Sequence, residues 1–260
     1  MSANNKIMAI YVDHTGKYFG FGSKLYFNDK CIYEFEKSVK QIKSYKDFIG
    51  CCSYDGTCVI LKNNKVFEII EGPDTEIKGI DFYKNYMALA IRNGSVWILK
   101  NFEIFKILEY HNQDVKGVLF YQDYLISYSF DKSIKIILLE NFKLERTIKC
   151  VDVVLNVMVI NNILIAVLQN GCVEIYDTNN DYMLIHTLKL SLFPILSSWS
   201  DKNFFFICNR NVLIEMDSKT LEILYEIELS KKDIVLSGCC FNNECFFGTD
   251  DGVLGNYKIK

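Results

Sequence analysis

Tyr124-Leu125-Ile126-Ser127-Tyr128-Ser129-Phe130-Asp131-Lys132-Ser133-Ile134-Lys135-Ile136-Ile137-Leu138-Leu139 is two apolar runs joined by a short polar turn. The same grammar returns as Ser53-Tyr54-Asp55-Gly56, Arg92-Asn93-Gly94, Gln169-Asn170-Gly171, Asn209-Arg210 and Asp250-Asp251-Gly252. Counted from Asp55, the steps are 38 to Asn93, 38 to Asp131, 39 to Asn170, 39 to Asn209 and 41 to Asp250. Asp-Gly and Asn-Gly suit a tight hairpin, whose central residues must take positive φ. The flanking runs alternate or stay continuously apolar over a few residues, as in Ile104 to Leu108 and Ile134 to Leu139, and lack the three-to-four-residue rhythm of helix pairs. A period near 40 with one such hairpin and further short strands predicts the four-stranded blade of a propeller.

Tracing the strands outward from these turns yields seven blades, at residues 6–36, 37–72, 73–111, 112–150, 151–190, 191–229 and 230–260. The first lacks an Asp-Gly turn and has Gly20-Phe21-Gly22-Ser23 leading to Leu25-Tyr26-Phe27. The last ends with its third strand, Val253 to Ile259, and the five residues before Lys6 are too few to supply a fourth. The expectation is therefore one all-β domain over residues 1–260, a seven-bladed propeller with a three-stranded last blade. Its ring closes without strand exchange between the chain ends.

Composition narrows the class. A chain of 30.2 kDa buries about three quarters of its unfolded surface, so a core needs no staples. With 50% hydrophobic and 23% charged residues it is not disordered. A net charge of -3 offers no basic field to nucleic acid or an anionic membrane. The first apolar stretch, Ile7 to Val12, is too short for a signal peptide, and Val153 to Leu168 is broken by Asn156, Asn161 and Asn162. Position 2 is Ser2, where myristoylation needs glycine. Ten cysteines without an export signal read as reduced cytosolic thiols, and Cys51, Cys52, Cys172, Cys208, Cys239 and Cys240 lie in apolar runs as small hydrophobes. The expected location is the cytoplasm, with the nucleus also open.

No catalytic constellation emerges. His14, His111 and His186 fall in different blades, Asp250-Asp251 is a turn pair, and no phosphate loop, HExxH or GxSxG occurs. No C-x2-C pair exists, and the neighbours in Cys51-Cys52 and Cys239-Cys240 point to opposite faces of a strand. The chain is expected to be neither an enzyme nor a holder of metal or cofactor.

The WD40 repeat carries a His before the first strand of a blade, a Ser or Thr in the second, an Asp in the following turn and a Trp in the third. His111, Ser129 and Asp131 resemble that set in the fourth blade, with Ile137 at the Trp position. The resemblance implies a hydrogen-bond network inside the blade for His111, in place of catalysis or metal binding. Elsewhere the signature has decayed, and Gly72-Pro73 stands where Gly-His would be.

A narrower likeness covers about residues 50–140. His111-Asn112-Gln113-Asp114-Val115-Lys116 resembles the His-x-Gln-Asp-Val-Lys stretch of the WD40 subunit of the cytosolic iron–sulfur protein assembly machinery, the Ciao propeller. Glu71-Gly72, Glu76-Ile77-Lys78, Arg92 and Ser95-Val96-Trp97 are similar to that family's preceding blade in order and spacing. Cys52-Ser53-Tyr54-Asp55 fits the blade before it, and Ser129-Phe130-Asp131-Lys132 fits the fourth. Ile136-Ile137-Leu138 departs from the Leu-Tyr-Arg that some relatives carry for a cochaperone. The resemblance implies a scaffold that joins a small assembly subunit and a HEAT-repeat targeting subunit, meets an iron-only-hydrogenase-like cluster carrier, and hands clusters to cytosolic and nuclear apoprotein clients. A WD40 adaptor of another complex, in ubiquitin ligation or ribosome assembly, is the first alternative, and a propeller hydrolase the second.

In a WD40 blade, the loop leading into the first strand and the turn after the second lie at one end of the ring. That places His111 to Lys116 and Arg92 together, with Tyr54, Phe130, Gln169 and Cys208 expected around the channel mouth. Two aromatics, an arginine and an amide are a hot-spot composition, and the resemblance implies that Arg92 is an exposed functional residue. An ion pair of Arg92 with Glu76 or Asp114 is the competing reading.

Overall fold

In the computed structural model, which describes residues 5–259, each of the turn signals joins the second and third strands of an antiparallel sheet. Gly56, Gly94, Gly171 and Gly252 take φ of 91°, 93°, 80° and 83° there. Lys132 and Arg210 take 61° and 58° in the fourth and sixth blades. The hairpin, and not glycine, therefore imposes the left-handed backbone, at about 1–2 kcal/mol for each L residue that adopts it. Asp and Asn dominate these turns because their side chains close them. Asp55 Oδ1 accepts from Thr57 N at 2.8 Å, Asn93 Oδ1 from Ser95 N at 3.0 Å, and Asn170 Oδ1 from Cys172 N at 2.9 Å.

Seven sheets result, six of four strands and one of three, and the described residues contain no α-helix. Strands are lettered a to d within a blade. Strand a spans Ile7–Val12, Val39–Tyr45, Ile77–Tyr83, Val115–Tyr121, Val154–Ile160, Ser197–Ser200 and Val235–Phe241 in blades 1 to 7. Each strand a contacts strand a of both neighbouring blades, including blade 7 against blade 1, so these seven line a closed central channel. Strand b is the most apolar strand of blade 5, Ile163–Leu168, because neighbouring blades cover both of its faces. The core is accordingly a series of inter-blade layers. Ile126, Ile134 and Ile136 of blade 4, for example, pack on Leu164, Ala166 and Leu168 of blade 5.

The last blade has three strands, Val235–Phe241, Glu244–Thr249 and Leu254–Lys258, and no described strand of blade 1 joins it. The seam closes by packing instead. Ser237 Oγ donates to Ile7 O at 2.9 Å, and Ile7 lies directly against Gly248, where a Cβ would meet its side chain. Residues 1–4 of the segment excluded above as a closing strand lie outside the described residues.

One expectation is corrected. Cys240 and Cys245 face each other across the hairpin of blade 7 and are joined as a disulfide, leaving eight free cysteines. Reading cysteines as small hydrophobes ignored strand register, which sets these two directly opposite.

Candidate functional site

The end of the ring that carries the d–a loops and b–c turns is knitted by backbone contacts. Gly72 N donates to Gly56 O, Phe130 N to Asp114 O and Leu190 N to Gly171 O. Three features occupy this end.

The first is the polar network of blade 4. His111 Nδ1 lies 2.9 Å from Asp131 Oδ2, and Nε2 lies 2.9 Å from Ser127 Oγ. With Nδ1–H donating to the carboxylate, Nε2 accepts from the hydroxyl, and both ring nitrogens of this buried imidazole are engaged. Ser133 Oγ donates to Asp131 Oδ1 at 2.6 Å and Asn112 N to Oδ2 at 3.2 Å. Burial raises the Asp131 pKa, but these bonds outweigh it and hold the carboxyl well below its ordinary value. Ser129 has a different task. It donates to Gln113 O at 3.2 Å and accepts from Asp131 N at 3.0 Å, tying the turn to the loop. The hydroxyl that meets the imidazole belongs to Ser127, one pair deeper along strand b, which the Ser-x-Asp spacing did not single out.

The second is a charged clamp between blades 3 and 4. Arg92, just beyond strand b of blade 3, places Nη1 at 2.7 Å from Glu76 Oε1 and Nε at 3.7 Å from Asp114 Oδ2. Glu76 precedes strand a of blade 3 and Asp114 precedes strand a of blade 4, so the guanidinium ties two successive loops. Both ion pairs left open by the sequence are formed, yet the Arg92 side chain stays 53% exposed. Glu76 also pairs with Lys78. Burial pushes its carboxyl upward, but the bonds and charges of Lys78 and Arg92 prevail and lower its pKa. The Lys78 ammonium sits 4.6 Å from the Tyr54 ring centroid, and that of Lys116 sits 4.9 Å from the Phe130 ring. Burial first, then the charge of Glu76, raises the Tyr54 hydroxyl. Gln169 is exposed in the blade 5 turn.

Cys208 does not join this ring. Asn209 pairs with Val212 around a two-residue turn, so Cys208 remains inside strand b, fully buried among Trp199, Leu213 and Val235. Blade 6 turns more tightly than its neighbours, and position relative to the Asn misplaced this residue.

The third feature escaped the sequence reading. In six blades the pairing of strands a and b slips by one residue at the second position of strand a, as between Val39↔Ser53 and Gln41↔Cys52. A bulge of this kind leaves its extra residue unpaired and re-aims the side chain. The residues before these bulges (Ile7, Val39, Ile77, Val115, Val154 and Val235) are buried between blades, whereas the bulge residues are half-buried on the innermost strands. They are Met8, Lys40, Lys78, Lys116, Leu155 and Leu236, and Leu196 holds the corresponding place just ahead of strand a in blade 6. Lysine thus occupies the site in blades 2 to 4, and Leu or Met in the other four. Burial and the neighbouring charges of Lys40 and Lys78 lower Lys116 to about 8, against the pull of Asp114 and Glu76. Burial also lowers Lys40. The signal was present as Val39-Lys40, Ile77-Lys78 and Val115-Lys116 at steps of 38 and 38. On the apolar side the loops expose Val151, Leu192, Phe193, Leu196 and Val253, with Leu192 at 86%. Among the described residues, no three His, Cys, Asp or Glu side chains are grouped to hold a metal ion.

This architecture is that of a WD40-type propeller. The crystal structure of the WD40 β-propeller domain of Doa1 is similar, with a TM-score of 0.83 at 14% identity, covering 98% of this chain and 94% of that one. The computationally designed Ika8 protein aligns with a TM-score of 0.75 at 12% identity, over 98% and 97%. No protein-family model matches the chain, and no curated protein does.

Proposed function

We propose that this propeller is a scaffold that gathers proteins on its d–a face, and more narrowly that it serves as the WD40 subunit of a cytosolic iron–sulfur cluster targeting complex. In that role it joins a small assembly subunit and a HEAT-repeat targeting subunit, meets the iron-only-hydrogenase-like carrier, and presents apoprotein clients of the cytosol and nucleus. The observation that supports the reading is the Glu76–Arg92–Asp114 clamp. It is built from the two stretches that carry the resemblance, Glu76-Ile77-Lys78 and Gln113-Asp114-Val115-Lys116, and it leaves a guanidinium half exposed between two blades. An exposed arginine on a face that also carries aromatic side chains, here Tyr54 against Lys78 and Phe130 against Lys116, has the composition of an interface hot spot.

Affinity purification of the tagged chain followed by mass spectrometry tests the reading. The small assembly subunit and the HEAT-repeat subunit are expected in the eluate. Recovery of ubiquitin-ligase or ribosome-assembly proteins in their place would retain the scaffold and overturn the complex.

A further inference from the structure

The bulge residues divide the channel mouth into two halves of opposite chemistry. On one side stand Lys40, Lys78 and Lys116 from three consecutive blades, with Arg92 tied to Glu76 and Asp114 in the loops that lead into the last two. Among the described residues, the carboxylates paired with these cations are Glu76, shared by Lys78 and Arg92, and Asp114, which meets Arg92. Lys40 is the uncompensated one. Its loop carries Ser38 where the next two blades carry Glu76 and Asp114, and no carboxylate pairs with it among the described residues. On the other side Leu155, Leu196 and Leu236 hold the same position, and the loop ahead of Leu196 exposes Leu192 and Phe193, with the Arg210 guanidinium 5.4 Å from the Phe193 ring centroid. Ammonium groups gathered on half-buried strands repel one another and lose hydration, and a carboxylate entering between them relieves both costs.

We propose that the channel mouth is a docking site for an extended acidic segment of a partner protein, whose carboxylates meet Lys40, Lys78 and Lys116 and whose apolar side chains cover Leu155, Leu196 and Leu236. Charge complementarity selects an acidic occupant, and the leucine half selects a peptide over a nucleic acid. A phosphodiester backbone has nothing to place on leucine, and Glu76 and Asp114 beside the lysines repel a continuous polyanion. The proposal rests on the scaffold reading and is independent of which complex the scaffold serves.

The test is fluorescence anisotropy with the purified chain and a labelled, end-capped peptide alternating leucine and aspartate. Saturable one-to-one binding is expected, weakening severalfold as salt rises from about 50 to about 500 mM. Joint Lys40→Gln and Lys116→Gln should weaken it at least about tenfold and Leu196→Ser at least about threefold. Lys149→Gln, at the end of the outer strand of blade 4, should change nothing. Thermal melts run beside each variant identify any that fail to fold, and a charge-reversed alternating leucine and lysine peptide replaces mutation in that case, with no binding expected. Equal affinity for an alternating serine and aspartate peptide would overturn the proposal by showing a bare anion site, as would displacement by a poly(U) oligonucleotide at equal charge concentration. Peptide binding without recovery of the assembly subunits from cells would sink the complex and leave the docking site. The converse would sink the docking site alone.

Discussion

Blade 4 and blade 7 share a period and a hairpin but are held together differently. Blade 4 has four strands, both faces covered, and a buried imidazole bonded to an acid and a hydroxyl. Blade 7 has three strands, no histidine in its leading loop, and Phe247 at the level of Ser127. The layer between blades 4 and 5 packs Ile126, Ile134 and Ile136 on Leu164, Ala166 and Leu168, whereas the seam side of blade 7 offers Phe246 and Gly248 to Ile10, Val12 and Ile7, a smaller apolar contact. Its hairpin instead carries the Cys240–Cys245 bond. The repeat is thus a geometric requirement that different chemistries satisfy. A decayed signature marks a change of means more than a loss of fold.

Hydrogen exchange provides the largest contrast. Strand c of blade 4, Ser133–Leu138, is interior, whereas strand c of blade 7, Leu254–Lys258, is an edge. Amides of the latter are expected to exchange at least about 100-fold faster, as an edge opens locally while an interior strand waits for larger unfolding. Equal protection would erase the distinction.

Mutation of the turn acids sharpens it. Asp131→Ala strips the imidazole, Ser133 and Asn112 of their common acceptor, and is expected to cost about 2–3 kcal/mol, or roughly 5–10 °C of melting temperature. Asp250 in blade 7 accepts from Ile234 N at 2.7 Å and from no histidine, so Asp250→Ala is expected to cost about 1 kcal/mol. Comparable losses, measured by thermal melts, would show that the network adds nothing to blade 4.

The bulges supply a pH test, since blade 7 has Leu236 where blade 4 has Lys116. Lys116 titrates near 8 in the folded chain, below its unfolded value of about 10.4. Between these values the unfolded chain binds the extra proton, so this residue's contribution to stability is least favourable below pH 8 and improves as pH rises. Burial sets most of this shift, the charges of Lys40 and Lys78 add to it, and those of Asp114 and Glu76 oppose it. The melting temperature of the native chain minus that of Lys116→Met is expected to rise by a few degrees between pH 7 and 10. A flat difference would place the ammonium in bulk water.

The smallest effect on stability is expected at Arg92. Its guanidinium is half exposed and its pairs contribute about 0–1 kcal/mol, so Arg92→Glu should shift melting by no more than about 2–4 °C. Capture of an assembly partner should nevertheless fall at least about tenfold. Early melting with normal capture would make the clamp purely structural.

Much of the fold was legible because the b–c turn obeys local rules. Asp55, Asn93, Asp131 and Asn170 close their turns with their own side chains, so residue type and spacing suffice to place them. Pairing across strands is not local. The partner of His111 is Ser127 because of its depth along strand b, and Cys240 meets Cys245 because of register. Cys208 was misplaced for the same reason, by a turn one residue tighter than the repeat. The clamp residues were named correctly as neighbours, but their arrangement, with one arginine shared between two acids, needed the loops in space. The lysine triad was written plainly at its period. It passed unnoticed because a bulge leaves no mark in a hydrophobic pattern.

The seam where Ser237 donates to Ile7 also bears on how the ring forms. Each blade folds on contacts within about 40 residues, but this bond joins positions 230 apart. Loop closure over such a separation costs entropy before it returns any contact, so blades 1 and 7 should be the last neighbours to dock, on a rate set by chain diffusion and topology. A nearly complete ring with its seam open is then the species to expect early in refolding. While that gap persists, the apolar faces of Ile10 and Phe246 stand in water as adhesive surfaces between chains. Refolding yield should therefore fall with protein concentration well before the native ring shows any tendency to aggregate.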